Sequence, residues 1–291
     1  MSTPMSMSTP MPARSAAPSA SYARTVRGSG PGLLLAHGAG GGVEANYGPL
    51  LDGLAAHRTV VGVDYPGTGA TPRAEHPLSL DELADELVGA ADAEGLERFA
   101  IVGYSLGGAV AVRAAARHPG RVTGLVLTAT FARPDARLRL DAEVWRDLYA
   151  AGQHESLAKF MLPKALSPAA LAALTPHELA AALAGARETL PAGTAEHTDL
   201  VTRVDVRDDL GTVARLGIPS LVISTAADLL VRPEHHREVA ALLPGAGFAE
   251  LDSGHLPFAE RPEEWLGLIS GFLTSGFLTS GLLGEVREET F

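Results

Sequence analysis

No cysteine occurs in the 291 residues. That absence excludes disulfide frameworks, thiolate nucleophiles, CxxC redox pairs and every cysteine-ligated zinc or iron–sulfur centre. Any nucleophile is therefore an oxygen or a nitrogen, and a bound metal would need His and carboxylate ligands. Lysine is almost as scarce, with only Lys159 and Lys164 present. Long apolar runs are missing too: no stretch reaches the ~18 residues of a membrane-spanning helix. Positive charge is in deficit, with 23 Lys+Arg against 34 Asp+Glu and a net charge of −11. This balance repels nucleic acid and anionic membranes, and no basic run offsets it. Neither partner is expected. The oligomeric state is not legible.

What is present is ordinary globular material, 46% hydrophobic and 20% charged. A chain of this length buries roughly three quarters of its unfolded surface without staples. Residues 1–20 are mostly Met, Ser, Thr, Pro and Ala, without the apolar centre of a signal peptide. They are read as a disordered leader, with Met5, Met7 and Met11 as alternative starts. A cytoplasmic location is expected.

From about Ser21, apolar runs bounded by Gly and Pro alternate with helical patterns. Leu33–Ala36, Thr59–Asp64, Phe99–Gly103, Val122–Thr128, Ser220–Ser224 and Phe248–Leu251 read as strands. Ser79 and Glu82 form a capping-box pattern, opening a helix whose apolar face is Leu83, Leu87, Ala90 and Ala91. Strands apolar on both faces and separated by helices predict a parallel sheet covered on both sides, with its chemistry at the carboxyl ends of strands. The alternation stops between 131 and 199. That section is Ala- and Leu-rich and is interrupted by Pro163, Pro168, Pro176 and Pro191. It is read as a helical insertion, leaving 21–130 and 200–291 as the core.

Near the end a five-residue unit recurs, Ser270-Gly271-Phe272-Leu273-Thr274, then Ser275–Thr279, then Ser280-Gly281-Leu282-Leu283-Gly284. Five residues carry a helix about 140° past one turn, so the repeat cannot hold one face. It is read as a duplicated segment peripheral to catalysis.

Gly103-Tyr104-Ser105-Leu106-Gly107 matches G-x-S-x-G between an apolar strand and a helical pattern. In such a strand–turn–helix the serine sits on a strained turn, its hydroxyl aimed at the helix N-terminus, where free N–H groups favour developing negative charge. A serine hydroxyl needs a base, usually His, oriented by a carboxylate. His255, in Asp252-Ser253-Gly254-His255, follows the last strand. His57, His118 and His154 fall in or beside helical patterns and are expected to face solvent. Asp228 follows the strand Ser220–Ser224, with Asp208, Asp209 and Asp252 as weaker candidates.

On these motifs the chain resembles the α/β-hydrolase superfamily over about Gly30 to Gly267. The resemblance implies a triad in the order Ser105, Asp228, His255. The segment Thr225-Ala226-Ala227-Asp228-Leu229-Leu230-Val231-Arg232-Pro233 resembles the family's G-x-x-D-x-x-V-x-P, with Thr225 where Gly is common. His37-Gly38-Ala39-Gly40 resembles the family's His-Gly loop, which implies an oxyanion hole made of the Ala39 and Leu106 N–H groups, with His37 structural. Asp64-Tyr65-Pro66-Gly67-Thr68-Gly69 resembles another family turn, in which Asp64 bonds backbone. The insertion would form a cap, with Trp145, Leu148, Tyr149, Phe160, Met161 and Leu162 as candidates for substrate lining.

The implied activity is serine-dependent hydrolysis of a small-molecule ester, thioester or related carbonyl substrate through an acyl-enzyme, with no cofactor. Members of the same superfamily also include lyases and cyclases, in which a Ser–His pair acts as base. The GC-rich character of the sequence makes a bacterial biosynthetic step of that kind the alternative. A silent binding protein on this scaffold is a further class, disfavoured by the intact Ser, Asp and His. A rival pattern is Gly40-Gly41-Gly42-Val43-Glu44-Ala45, which satisfies the dinucleotide fingerprint G-x-G-x-x-A, with Asp64 lying 24 residues after Gly40. The complete Ser, Asp, His set at other strand ends argues against it.

Overall fold

The computed structural model describes residues 22–275. The expected leader, residues 1–20, lies outside them, as does the repeat beyond Ser275. The first copy of the repeat closes the last helix.

Seven strands form one sheet: β1 (Arg24–Arg27), β2 (Gly32–Ala36), β3 (Thr59–Val63), β4 (Phe99–Tyr104), β5 (Val122–Thr128), β6 (Ser220–Thr225) and β7 (Gly247–Leu251). Their order is β1-β3-β2-β4-β5-β6-β7. All neighbours run parallel except β1, which pairs antiparallel with β3. β1 escapes the sequence pattern because it is an edge strand, Arg-Thr-Val-Arg, mostly exposed and carrying charge at both ends. Before β6 the helices are α1 (Val43–Ala55), α2 (Leu80–Ala93), α3 (Leu106–Arg117), α4 (Ala136–Ala150), α5 (His154–Ala165), α6 (Pro168–Ala173), α7 (Pro176–Glu188), α8 (Thr194–Arg203) and α9 (Arg207–Arg215). After it come α10 (Pro233–Ala241), α11 (Pro257–Glu260) and α12 (Pro262–Thr274).

The two-residue period of the strands divides the core. Leu33, Leu35, Val60, Ala100 and Val102 face a layer built by α1 and α12. Leu34, Val61, Ile101, Leu125 and Leu127 face the other layer, built by α2, α3, α9 and α10. Trp265 of α12 is fully buried, stacks on Tyr47 of α1 with ring centroids 5.6 Å apart, and donates its Nε1–H to Thr128 Oγ1 at 3.0 Å. One side chain thus ties α12, α1 and the end of β5 together.

Between β5 and α9 the chain leaves the sheet for α4–α8, and the insertion persists to Arg203. Pro168 and Pro176 stand in the first turn of α6 and α7, where a missing N–H costs nothing. Pro163, expected to break the helix, lies inside α5 close to its C-terminus, where only the last turn loses a bond. Ser79 is the N-cap of α2, but its side chain accepts no N–H, so the expected capping box does not form there. Thr175 and Glu178 form one at α7.

Trp265→Ala should lower unfolding free energy by about 3–5 kcal/mol, the usual cost of emptying a large aromatic site. Urea denaturation measures it, and a loss below about 1 kcal/mol would mean that the site collapses around the deletion.

Candidate active site

The carboxyl ends of β2, β3, β4, β6 and β7 converge, as expected for a parallel sheet. β4 delivers Ser105 at φ 53°, ψ −121°, a backbone conformation non-glycine residues avoid. Its neighbours leave no room for side chains. A Cβ on Gly103 would lie 2.5 Å from the Gly107 carbonyl oxygen, and one on Gly107 would strike the Ala36 carbonyl. The turn is held through its backbone: Ser105 N–H donates to Thr128 O at 3.0 Å, and Ser105 O accepts from Thr130 Oγ1 at 2.7 Å.

The loop after β7 carries His255, whose carbonyl accepts from Tyr104 Oη at 2.7 Å. The loop after β6 carries Asp228. The structure brings all three side chains together although 27 and 150 residues separate the pairs in sequence. His255 Nδ1 lies 2.7 Å from Asp228 Oδ2, and His255 Nε2 lies 3.1 Å from Ser105 Oγ. A carboxylate only accepts, so Nδ1 carries the ring proton and Nε2 is left to accept from the serine.

Asp228 is 1% exposed and fully engaged. Its Oδ1 accepts from Leu230 N–H and Val231 N–H at 2.9 Å, and its Oδ2 also accepts from Thr225 Oγ1 at 2.9 Å. Thr225, the departure from the family's glycine, thus supplies a bond to the carboxylate that glycine lacks. The weaker acids are elsewhere: Asp209 pairs with Arg113, and Asp208 and Asp252 are exposed.

The loop after β2 lies beside the serine. Gly38 N–H donates to Asn46 Oδ1 at 3.0 Å, Gly40 N–H to His197 Nδ1 at 3.2 Å, and Gly41 N–H to Gly38 O at 3.3 Å. Ala39 N–H, between them, has no such acceptor among the described residues. Leu106 N–H opens α3, where a first-turn donor has no intrahelical partner. His37 is structural: its Nδ1–H donates to Gly38 O at 2.8 Å, and its Nε2 accepts from Tyr65 N–H at 3.0 Å. Asp64 accepts from Val43 N–H at 2.8 Å. Its carboxylate occupies the N-terminus of α1, where a dinucleotide's pyrophosphate would sit, so the glycine fingerprint is spent within the chain.

Ser105 and His255 open into a cavity of about 660 Å³. From the insertion it is lined chiefly by Trp145, Leu157, Ala158, Met161, Ala165 and Leu190. Four expected lining residues face elsewhere. Tyr149 spends its hydroxyl on Pro191 O at 2.9 Å and stacks on His154. Phe160 lies on the α5 face that carries Lys164, whose Nζ sits 4.8 Å over its ring, while Leu157, Ala158 and Met161 take the cavity face. Leu148 and Leu162 are likewise absent from the lining. His154 and His118 are only partly exposed, the latter bonded to Asp85 at 2.8 Å, whereas His57 is exposed as expected. Among the described residues no three His, Asp or Glu side chains converge as a metal site requires. His197 and Asn46 are the residues the sequence pattern missed.

Burial depresses three histidines near the site. His37 falls to about 3, with His197 adding to the effect, and His197 and His236 each fall to about 4. Unfolded histidines titrate near 6.5, so between about pH 6.5 and 4 the unfolded chain binds more protons and stability is lost as the pH drops. The melting temperature should hold steady above neutrality and decline progressively from about pH 6.5 to 4.5. A thermal melt series checks this, and a flat profile over that window would contradict it.

Comparisons with known proteins bear on the fold and the class of reaction. A family model described as the alpha/beta hydrolase fold matches residues 31–262. Pyrrolizixenacetamide deacetylase from Xenorhabdus hominickii is 34% identical over 251 residues, 85% of this chain and 92% of that protein. Pimeloyl-[acyl-carrier protein] methyl ester esterase from Xanthomonas campestris pv. campestris is also 34% identical over 251 residues, 80% of this chain and 91% of that one. The crystal structure of the enol-lactonase from Burkholderia xenovorans LB400 superposes with a TM-score of 0.75 at 25% identity, covering 87% of this chain and 96% of that one. The sheet order, the strand-end loops and these matches lead to one conclusion: the chain belongs to the α/β-hydrolase fold family and is a hydrolase.

Proposed function

We propose that the protein hydrolyses an uncharged ester, thioester or amide through an acyl-enzyme on Ser105. The observation that carries this is the unbroken hydrogen-bond chain from Ser105 Oγ through His255 to Asp228, at 3.1 and 2.7 Å, opening into the cavity. His255 Nε2 takes the hydroxyl proton as Oγ attacks the carbonyl carbon. The developing oxyanion accepts from Ala39 N–H and Leu106 N–H. The tetrahedral species collapses, the bond to the leaving alcohol, thiol or amine breaks, and that group takes the proton from His255. A water molecule then gives a proton to His255 and attacks the acyl carbon; the bond from that carbon to Oγ breaks, Oγ takes the proton back from His255, and the carboxylic acid leaves. Asp228 stays ionised throughout, fixing the His255 tautomer and stabilising the imidazolium.

The relatives' names support the bond type, an acetamide in one case and a methyl ester in the other. The lining supports the charge. Helices α4–α8 act as a cap, and no Lys or Arg is among the described residues that line the cavity, whereas Glu44 and Asp64 are. A carboxylate-bearing substrate would enter with no cation to meet it.

A fluorophosphonate should add one label to the intact protein, and none to Ser105→Ala. Ser105→Ala should lower kcat on p-nitrophenyl butyrate by at least about 10³-fold, and Asp228→Asn by about 10³–10⁴-fold through the wrong tautomer. A folded Ser105→Ala variant with undiminished turnover would sink the mechanism. Replacing the butyryl group by a succinyl half-acid should cost about tenfold or more in kcat/KM, and equal rates would remove the charge argument.

A further inference from the structure

We propose that His197, carried by the cap helix α8, is a positioning residue that sets the oxyanion loop. The inference rests on the hydrolase mechanism above. His197 is fully buried and bridges two core loops. Its Nε2–H donates to Pro66 O at 2.9 Å, and its Nδ1 accepts from Gly40 N–H at 3.2 Å. Pro66 O has no proton to give and Gly40 N–H has no lone pair to offer, so the two bonds fix one neutral tautomer. Gly40 directly follows Ala39, whose N–H is the oxyanion donor of the mechanism proposed above.

The clamp has a second jaw on the same cap face. A Cβ on Gly40 would lie 2.7 Å from Cζ2 of Trp145 in α4, so the ring closes over this residue. Gly40 thus takes φ 64° with no room for a side chain beneath the Trp145 ring, and gives its N–H to His197. Next to His197, Gly193 N–H donates to Gly67 O at 3.0 Å, docking the start of α8 on the same turn as Pro66. From the core side, Asn46 Oδ1 holds Gly38 N–H at 3.0 Å. The two N–H groups flanking Ala39 are thus each committed to a side chain, one from the core and one from the cap. Ala39 N–H is held in place by its neighbours' bonds. The oxyanion hole is complete only when the cap is seated, which couples the element that selects the substrate to the element that stabilises its transition state.

Three substitutions separate positioning from simple packing. His197→Ala removes both bonds. His197→Asn keeps an acceptor at the place of Nδ1, and His197→Gln keeps a donor at the place of Nε2. We expect His197→Ala and His197→Gln to lower kcat on p-nitrophenyl butyrate by about 10- to 100-fold with KM changing far less, as a misplaced oxyanion donor does. His197→Asn should recover most of that loss. The imidazole ¹⁵N spectrum of the unsubstituted protein should show Nε2 protonated and Nδ1 bare, a readout that needs neither turnover nor a folded variant. Equal kcat for all three variants, an effect confined to KM, or a proton on Nδ1 would overturn the assignment. A wild-type protein that neither turns over nor takes the fluorophosphonate label would instead sink the hydrolase mechanism, and this inference with it.

Discussion

The left-handed backbone at Ser105 is the constraint on which the site depends. A non-glycine residue held there costs about 1–3 kcal/mol, and the conformation persists only because its surroundings over-determine it. Thr128 O takes its N–H, and Thr130 Oγ1 and Gly108 N–H take its carbonyl. Gly103 and Gly107 supply the clearance. The return is placement: Oγ points out of the sheet toward His255 while the first free N–H of α3 lies beside it. Trp265 reaches the same place from the far layer, since its indole donates to the side chain of Thr128. Core packing and catalytic geometry meet in one residue of β5.

The sheet supplies chemistry and the insertion supplies shape. Ser105, Asp228, His255, Ala39 and Asp64 all lie on loops after strand ends, in a rigid frame whose core is apolar on both faces. Helices α4, α5 and α7 close one side of the cavity with aliphatic and aromatic side chains. The division leaves the strand-end loops and most of the cavity wall to separate parts of the chain. His197 and Trp145 qualify that division, because both touch the oxyanion loop.

Much of this was legible in the sequence, for physical reasons. Buried parallel strands are short apolar runs, and Gly and Pro mark their ends, so β2 to β7 and the residues after them could be located. Gly103 is dictated by a contact with Gly107 only four residues on, whereas Gly107 clears Ala36 of a neighbouring strand and was legible only through the G-x-S-x-G pattern. β1 was not legible because an edge strand needs neither an apolar run nor alternation. The lining was legible only in part: Trp145 and Met161 face the cavity, but Leu148, Tyr149, Phe160 and Leu162 do not, since composition cannot set the rotational phase of a helix. His197 gave no local signal at all. Its partner Gly40 is 157 residues away, and only the folded cap brings them together.

The central claim is a covalent acyl-enzyme on Ser105. It is tested most directly by rapidly quenching the protein during turnover of a p-nitrophenyl ester and measuring its intact mass. The account predicts a transient adduct with the mass of the acyl group, located on the peptide that contains Ser105 and absent from Ser105→Ala. Steady turnover with no adduct at any quench time, or an adduct on another residue, would contradict it.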